Sequence, residues 1–104
     1  MRILLIDDMR TLPATVICRT AQDGIKALQY IGPFDLLLLD NDMGFTSWEG
    51  YKVIDWLEQH TDFLPDEFKI VSSNPAARER MEVVARKLYG QYDVETGTFY
   101  EKIV

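Results

Sequence analysis

The sequence predicts an α/β domain built on a five-stranded, mainly parallel sheet. Two short apolar segments end in acids, "RILLID" at 2–7 and "DLLLLD" at 35–40, and such segments are typical of strands buried on both faces. Segments with helical spacing of apolar residues separate the later strands. This alternation indicates right-handed crossovers, with helices on both faces of the sheet. The 104 residues fit one domain spanning 1–104.

The first half of the chain begins with two strands in succession. After the strand at 2–7, a loop with Pro13 leads to a second strand at 15–19. About seven residues separate the two strands, which is too few for an ordinary crossover helix. Thr20 is the expected N-cap of the first helix, and "GP" at 32–33 ends that helix.

The second half continues with a helix over 48–60 and a fourth strand, "FKIVSS", at 68–73. Asn74 is the expected cap of the next helix, because Pro75 follows at the favoured first position. Gly90 is expected to end that helix. The tail then supplies a last strand, or two short strands around the Thr–Gly pair at 96–97.

The composition restricts the classes of partner and compartment. Hydrophobic residues make up 47% and the net charge is −6, which opposes nonspecific binding to nucleic acid or to an anionic membrane. The single cysteine, Cys18, excludes an internal disulfide and is expected to be a small buried hydrophobe. No apolar run fits a signal peptide or a membrane span, so the cytoplasm is the expected compartment.

Acidic side chains follow two of the predicted strands. Asp7 and Asp8 end the first strand, and Asp40 and Asp42 follow the third. In open α/β sheets ligands bind beyond the carboxyl ends of the strands. If the first and third strands are neighbours, as in the flavodoxin-like order, these carboxylates converge in one site.

Converging carboxylates need compensation. Two unit charges about 4 Å apart repel by roughly 4 kcal/mol at an effective dielectric near 20. Three outcomes are open: a cation neutralises the acids, one of them takes up a proton, or they turn toward solvent. Oxygen ligands without His or Cys nearby favour Mg²⁺ or Mn²⁺ over zinc. Plain capping of loops and helix ends is the alternative role for each acid.

The two acid-ended strands, "LLIDD" and "FDLLLLDNDMG", resemble the first and third strands of response-regulator receiver domains. That resemblance implies that Asp7 and Asp8 bind Mg²⁺ and that Asp40 accepts a phosphoryl group. It also implies that Asp42 lends a backbone carbonyl to the metal. Ser72 or Ser73 would take the place of the switch Ser/Thr.

A closer resemblance covers nearly the whole chain. The sequence is similar to the cyclic-phosphate-processing receiver domains in four motifs: "DDMRTLP" at 7–13, "DNDMG" at 40–44, "GYKVIDWLEQH" at 50–60 and "VSSNPAARERM" at 71–81. The resemblance implies a flavodoxin-like, receiver-like three-layer sandwich whose first receiver helix is missing or stunted.

The catalytic groups of that family are incomplete here. Asn41 and Val71 stand where the family pattern has two histidines suited to acid–base work on a phosphodiester. The only histidine, His60, is expected at the end of a helix. Receiver domains also have an essential lysine at the end of the fifth strand. This sequence has no counterpart of that lysine, since the region near Val94 is acidic and Lys102 lies too far along the chain. Metal-dependent phosphoesterase activity is therefore expected to be weak or absent.

Other residues could hold a phosphate-bearing ligand. Arg10 suits a phosphate, and its alternative role is a salt bridge to a neighbouring acid. Asn41 can donate to a phosphate oxygen. Asn74 opens a helix whose free N–H groups could face an anion, and its alternative role is a plain N-cap. Trp48 is a candidate for stacking on a base or a partner, with ordinary packing as its alternative, and Trp56 is expected in the core.

Three functions are compatible with these residues. The leading hypothesis is an acidic Mg²⁺ or Mn²⁺ pocket that engages a phosphate-bearing small molecule, either a nucleotide or a cyclic phosphate. The second is a degenerate receiver that binds a protein partner as an adaptor or inhibitor. The third is a receiver in signalling that is phosphorylated on Asp40.

Overall fold

The protein is described by a computed structural model that covers residues 1–40, 49–72 and 74–104. Six strands form a single sheet in the order β2-β1-β3-β4-β6-β5. Their bounds are β1 Ile3–Ile6, β2 Val16–Cys18, β3 Leu36–Leu39, β4 Glu67–Ile70, β5 Tyr89–Asp93 and β6 Thr98–Lys102. The first four strands are parallel, and β6 is antiparallel to both of its neighbours.

The sheet confirms the mainly parallel α/β prediction and adds one strand to the five expected. The tail forms the predicted alternative of two strands around the Thr–Gly pair at 96–97, and these strands are β5 and β6. Gly97 has a φ of 73° in the turn between them, in the left-handed region that glycine adopts without steric cost. Because β6 inserts between β4 and β5, β5 remains parallel to β4 but is separated from it by one strand.

Three helices connect the strands in the described part of the chain: α1 Ala21–Tyr30, α2 Glu49–Gln59 and α3 Pro75–Leu88. The predicted caps are present. The Thr20 side chain accepts a hydrogen bond from the backbone N–H of Asp23, and Asn74 accepts from the N–H groups of Ala76 and Ala77. Helix α3 ends at Leu88, and Gly90, expected to stop it, lies within β5.

No helix lies between β1 and β2, a segment that the structure describes in full. The missing first receiver helix is therefore confirmed. Thr15 begins the return of the chain to the sheet, because its N–H donates to the Ile3 carbonyl at 2.8 Å. This direct connection places β2 parallel to β1 at the edge of the sheet.

All three helices contribute to one hydrophobic core, which lies on one face of the sheet. The core residues of β1, β3, β4 and β6 alternate along the chain, as expected for side chains of one face: Leu4, Ile6, Leu37, Leu39, Phe68, Ile70 and Phe99. Tyr89 at the start of β5 joins them. The expectation of helices on both faces is corrected here. The crossovers that contain helices all move in the same direction across the sheet, so right-handedness places them on one side.

The direct β1–β2 connection is the one that moves in the opposite direction, and it carries no helix to cover the second face. Within the described ranges, no helix has the length and apolar character needed to cross a bilayer.

Candidate metal and phosphate site

The sheet brings the predicted acids together at its carboxyl edge. β1 and β3 are parallel neighbours with Ile6 opposite Leu39. The Asp40 N–H donates to the Ile6 carbonyl at 3.0 Å, and the Asp7 N–H donates to the Cys18 carbonyl at 3.0 Å. Each acid therefore extends the hydrogen-bonded ladder by one residue, and its position follows from the backbone of the sheet.

Asp7, Asp8 and Asp40 form a cluster of carboxylates. Each offers a carboxylate oxygen, and these oxygens all lie within 4.8 Å of one another. Asp7 is 0% exposed and Asp40 is 6% exposed, while Asp8 is half-buried. The structure thus unites three of the four predicted metal ligands in one site.

The two oxygens of Asp7 have different surroundings. Oδ1 accepts hydrogen bonds from the backbone N–H groups of Met9 at 2.9 Å and Arg10 at 3.0 Å. Oδ2 is fully buried, and within the described residues no donor reaches it. A buried polar atom without a partner costs about 1–3 kcal/mol, and more when it carries charge. Among the described residues, hydrogen bonds therefore satisfy only one of the two carboxylate oxygens of Asp7.

A divalent cation fits this cluster. The donors are hard carboxylate oxygens, which Mg²⁺ and Mn²⁺ prefer. Two oxygens on opposite sides of Mg²⁺ lie about 4.2 Å apart, since each metal–oxygen distance is about 2.1 Å. The spacing of up to 4.8 Å in the cluster is close to that value. A cation would also give Oδ2 of Asp7 the partner that it lacks.

Arg19 fastens the loop that carries the acids. Its guanidinium donates to the backbone carbonyls of Asp7 at 3.1 Å and Arg10 at 2.5 Å, and to the Thr11 hydroxyl at 2.9 Å. This role of Arg19 was not predictable, because nothing in the order of the chain shows that the end of β2 lies beside the loop after β1.

Arg10 reaches across the carboxyl edge of the sheet. Its guanidinium donates to the Val71 carbonyl, at the end of β4, while its own N–H donates to Asp7. Because β3 lies between β1 and β4, this side chain must pass the end of β3, where Asp40 lies. The predicted phosphate ligand Arg10 is thus a neighbour of the acid cluster.

The end of β4 lies on the same edge. Ser72 is 3% exposed, and its hydroxyl accepts a hydrogen bond from the Asn74 N–H at 3.2 Å. Arg78 donates from Nη1 to the carbonyls of Ile70 and Ser72, each at 3.1 Å. The helical spacing of apolar residues could not reveal this contact, because an arginine is long enough to fold back along its helix.

Other predicted residues lie elsewhere. Asn41, Asp42, Ser73 and Trp48 lie outside the described residues. His60 follows the last residue of α2, stacks on Trp56 with ring centroids 4.4 Å apart, and contacts the Trp56 carbonyl through Nδ1 at 2.8 Å. Its position at the helix end is as predicted, and Trp56 packs against the core as expected.

Cys18 packs against the core, and Lys102 lies far from the acids. Cys18 is a partly buried free thiol that packs against the core, and burial, followed by the nearby Asp23, raises its pKa. Lys102 donates to the Leu64 carbonyl at 3.2 Å and pairs with Asp66 at 3.0 Å. Leu64 precedes β4, so Lys102 lies at the amino end of that strand, opposite the acids.

A mainly parallel α/β sheet with carboxylates after β1 and β3, and with a buried serine after β4, defines a receiver-like domain. The family model described as "Cyclic-phosphate processing Receiver domain" matches residues 2–87. The chain therefore belongs to this family. A search of curated proteins and a search of solved structures gave no match.

Proposed function

We propose that the carboxyl edge of the sheet binds Mg²⁺ or Mn²⁺ through Asp7, Asp8 and Asp40. The observation that carries this proposal is the buried Oδ2 of Asp7, which lies in a cluster of three carboxylates without a hydrogen-bond donor among the described residues. A bound cation would offset the mutual repulsion of the acids and satisfy that oxygen. Asp42, the fourth predicted ligand, belongs to the same proposal through the family resemblance.

The ligand that fits beside such a cation carries a phosphate group, as in a nucleotide or a cyclic phosphate. The cation neutralises phosphate charge that the acidic chain would otherwise repel. Arg10 supplies a guanidinium on the same edge, and Ser72 offers a buried hydroxyl at the end of β4. A guanidinium is suited to phosphate, whereas the N–H groups of Ala76 and Ala77 at the start of α3 donate to the Asn74 side chain. Ser73 and Asn41 belong to the predicted phosphate contacts.

Turnover of such a ligand is expected to be weak or absent. Val71 stands in the place of a family histidine, and its side chain has no group that transfers protons. Its backbone carbonyl accepts a hydrogen bond from Arg10. The cation, where bound, would supply Lewis-acid polarisation of a phosphate oxygen. The residues of this chain would bind and orient the phosphate.

A paramagnetic titration tests the metal site. Mn²⁺ added to the isotopically labelled protein should broaden first the amide signals of residues 7–10 and 40. The signals at the opposite edge of the sheet, near Leu64 and Lys102, should be the last to broaden. Excess Mg²⁺ should restore the broadened signals, because both ions take oxygen ligands. Uniform broadening of acidic surface residues, with no preference for the cluster, would contradict the proposal.

Phosphorylation of Asp40 is a second candidate function. Asp40 is nearly buried, follows β3 and lies within the acid cluster, which is the position of the receiver acceptor. Incubation with acetyl phosphate and Mg²⁺ should then add one phosphoryl group, seen as an acid-stable, base-labile mass increase. The Asp40→Asn variant should not gain it. Absence of the adduct in the native chain removes this candidate.

The adaptor or inhibitor alternative makes a different prediction. A protein partner that binds away from the acids would be retained equally well by the native chain and by Asp40→Asn. A pull-down with both forms separates the two cases. Loss of the partner in Asp40→Asn would link the interaction to the acid cluster.

A further inference from the structure

Two arginines from different parts of the chain bind three successive carbonyls at the end of β4. Arg78, on α3, donates to the carbonyls of Ile70 and Ser72. Arg10, on the loop after β1, donates to the Val71 carbonyl. Hydrogen bonds from a charged donor are roughly twice as strong as neutral ones. The end of β4 is therefore held more firmly than a strand end that meets only water.

The two arginines hold this strand end from opposite sides. The Val71 N–H donates to the Leu39 carbonyl at 3.0 Å, so the peptide groups of Val71 face β3. The carbonyls of Ile70 and Ser72 point the other way, as alternate residues of a strand do. Arg10 thus binds on the β3 side and Arg78 on the β6 side. Moving the end of β4 toward β3 or toward β6 would break a hydrogen bond from one of the two arginines.

The strand end that is held in this way carries the proposed phosphate contacts. Ser72 is buried and accepts from the Asn74 N–H, and Asn74 caps α3 through the N–H groups of Ala76 and Ala77. Arg78 is on the same helix and returns to the strand. Hydrogen bonds therefore connect the end of β4, the Asn74 cap and the first turns of α3. This connected segment borders the edge where the acids lie.

We propose that Arg78 is a positioning residue for phosphate binding, and that Arg10 and Arg78 together preform the phosphate-binding edge of β4. This inference rests on the proposed function. Arg78 acts through Ser72 and the start of α3, and it makes no contact with the acids in the described part of the chain. Its removal should therefore weaken phosphate binding and leave metal binding unchanged.

The experiment compares Arg78→Gln with the native protein in two titrations. Mg²⁺ affinity is measured by calorimetry, and inorganic phosphate affinity by ³¹P NMR with and without Mg²⁺. Arg78→Gln should lower phosphate affinity about tenfold, the effect of losing one charge-assisted contact network. Its Mg²⁺ affinity should stay within about twofold of the native value.

Arg86→Gln is the matched control, because Arg86 lies on the same helix and pairs with the same Glu82 at 3.6 Å, whereas Arg78 approaches Glu82 at 3.9 Å. This control should bind phosphate like the native protein. Arg78→Lys, which keeps the charge and can reach one carbonyl, should recover part of the affinity. Rescue of this kind separates positioning from a general loss of stability.

The outcomes are distinguishable. Native phosphate affinity in Arg78→Gln overturns the inference, whatever the metal result. A native protein that binds Mg²⁺ and no phosphate also overturns it and leaves the metal site standing. A native protein that binds no Mg²⁺ refutes the metal part of the proposed function. The phosphate titration without Mg²⁺ then still decides the role of Arg78.

Discussion

Removing the charge of Asp40 should stabilise the metal-free protein. The oxygens of Asp7 and Asp40 lie within 4.8 Å of each other, so the two ionised carboxylates repel by at least about 3.5 kcal/mol at an effective dielectric near 20. Asp40→Asn keeps the shape of the side chain and removes this repulsion. Part of the gain is offset, because an amide oxygen is a weaker acceptor than a carboxylate. We expect a net gain of about 1–2 kcal/mol.

The assay is the midpoint of thermal unfolding, with and without Mg²⁺. For a domain of this size 1 kcal/mol corresponds to roughly 4–8 °C, so metal-free Asp40→Asn should unfold about 5–10 °C above the native protein. A cation present at a hundred times its Kd should stabilise the native protein by about 2.7 kcal/mol. The variant should lose most of that response, because it offers one ionised ligand fewer.

Asp62→Asn is the control for a change of net charge. Asp62 is exposed and lies in the short turn before Leu64, at the far end of the sheet from the acids. Asp62→Asn should shift the metal-free unfolding midpoint by no more than about 2 °C and should leave the Mg²⁺ response unchanged. Equal Mg²⁺ responses in native and Asp40→Asn proteins would refute the reasoning. A stabilised variant with no Mg²⁺ response in either form would show repulsion in a pocket that binds no metal.

Three further substitutions test the fold that supports the site. Asn74→Ala removes the cap of α3 and should lower the unfolding free energy by about 1 kcal/mol, measured by urea denaturation. Gly24→Ala should cost about 1–3 kcal/mol, since its Cβ would lie 2.3 Å from Cδ1 of Ile6, and unchanged stability would contradict that packing. Tyr89→Phe should lower the unfolding free energy by about 1–2 kcal/mol, because the Tyr89 hydroxyl donates to the buried Pro65 carbonyl at 2.6 Å. Burial raises the pKa of Tyr89, so this loss should persist up to pH 9.

The sequence was sufficient to predict the acid cluster because its position depends on local signals. Apolar runs that stop at Asp7 and Asp40 define strand ends, and a parallel sheet brings such ends to one edge. The caps Thr20 and Asn74 were predictable for the same reason, since a cap acts within three residues of its own position. These features needed no knowledge of how distant segments pack.

Contacts between distant segments were not predictable in this way. Arg19 and Arg78 were passed over because their partners are backbone carbonyls, which every residue has, so the sequence gives no sign of the pairing. The placement of all helices on one face was missed for a related reason. Alternation of strands and helices predicts crossovers, but their direction depends on strand order, which the sequence leaves open.

The order and direction of the last two strands explain why Lys102 lies away from the acids. β6 inserts between β4 and β5 and runs antiparallel to both. The end of β5 at Asp93 therefore lies one strand spacing, about 4.8 Å, farther from the acids than a strand directly beside β4 would. The lysine that β6 carries, Lys102, is at the opposite edge of the sheet. At the carboxyl edge, the loop after β1 instead brings the guanidinium of Arg10 to the end of β4, and Arg78 on α3 holds that strand end through its carbonyls. The antiparallel direction of β6 thus accounts for the position of Lys102 at the edge away from the acids.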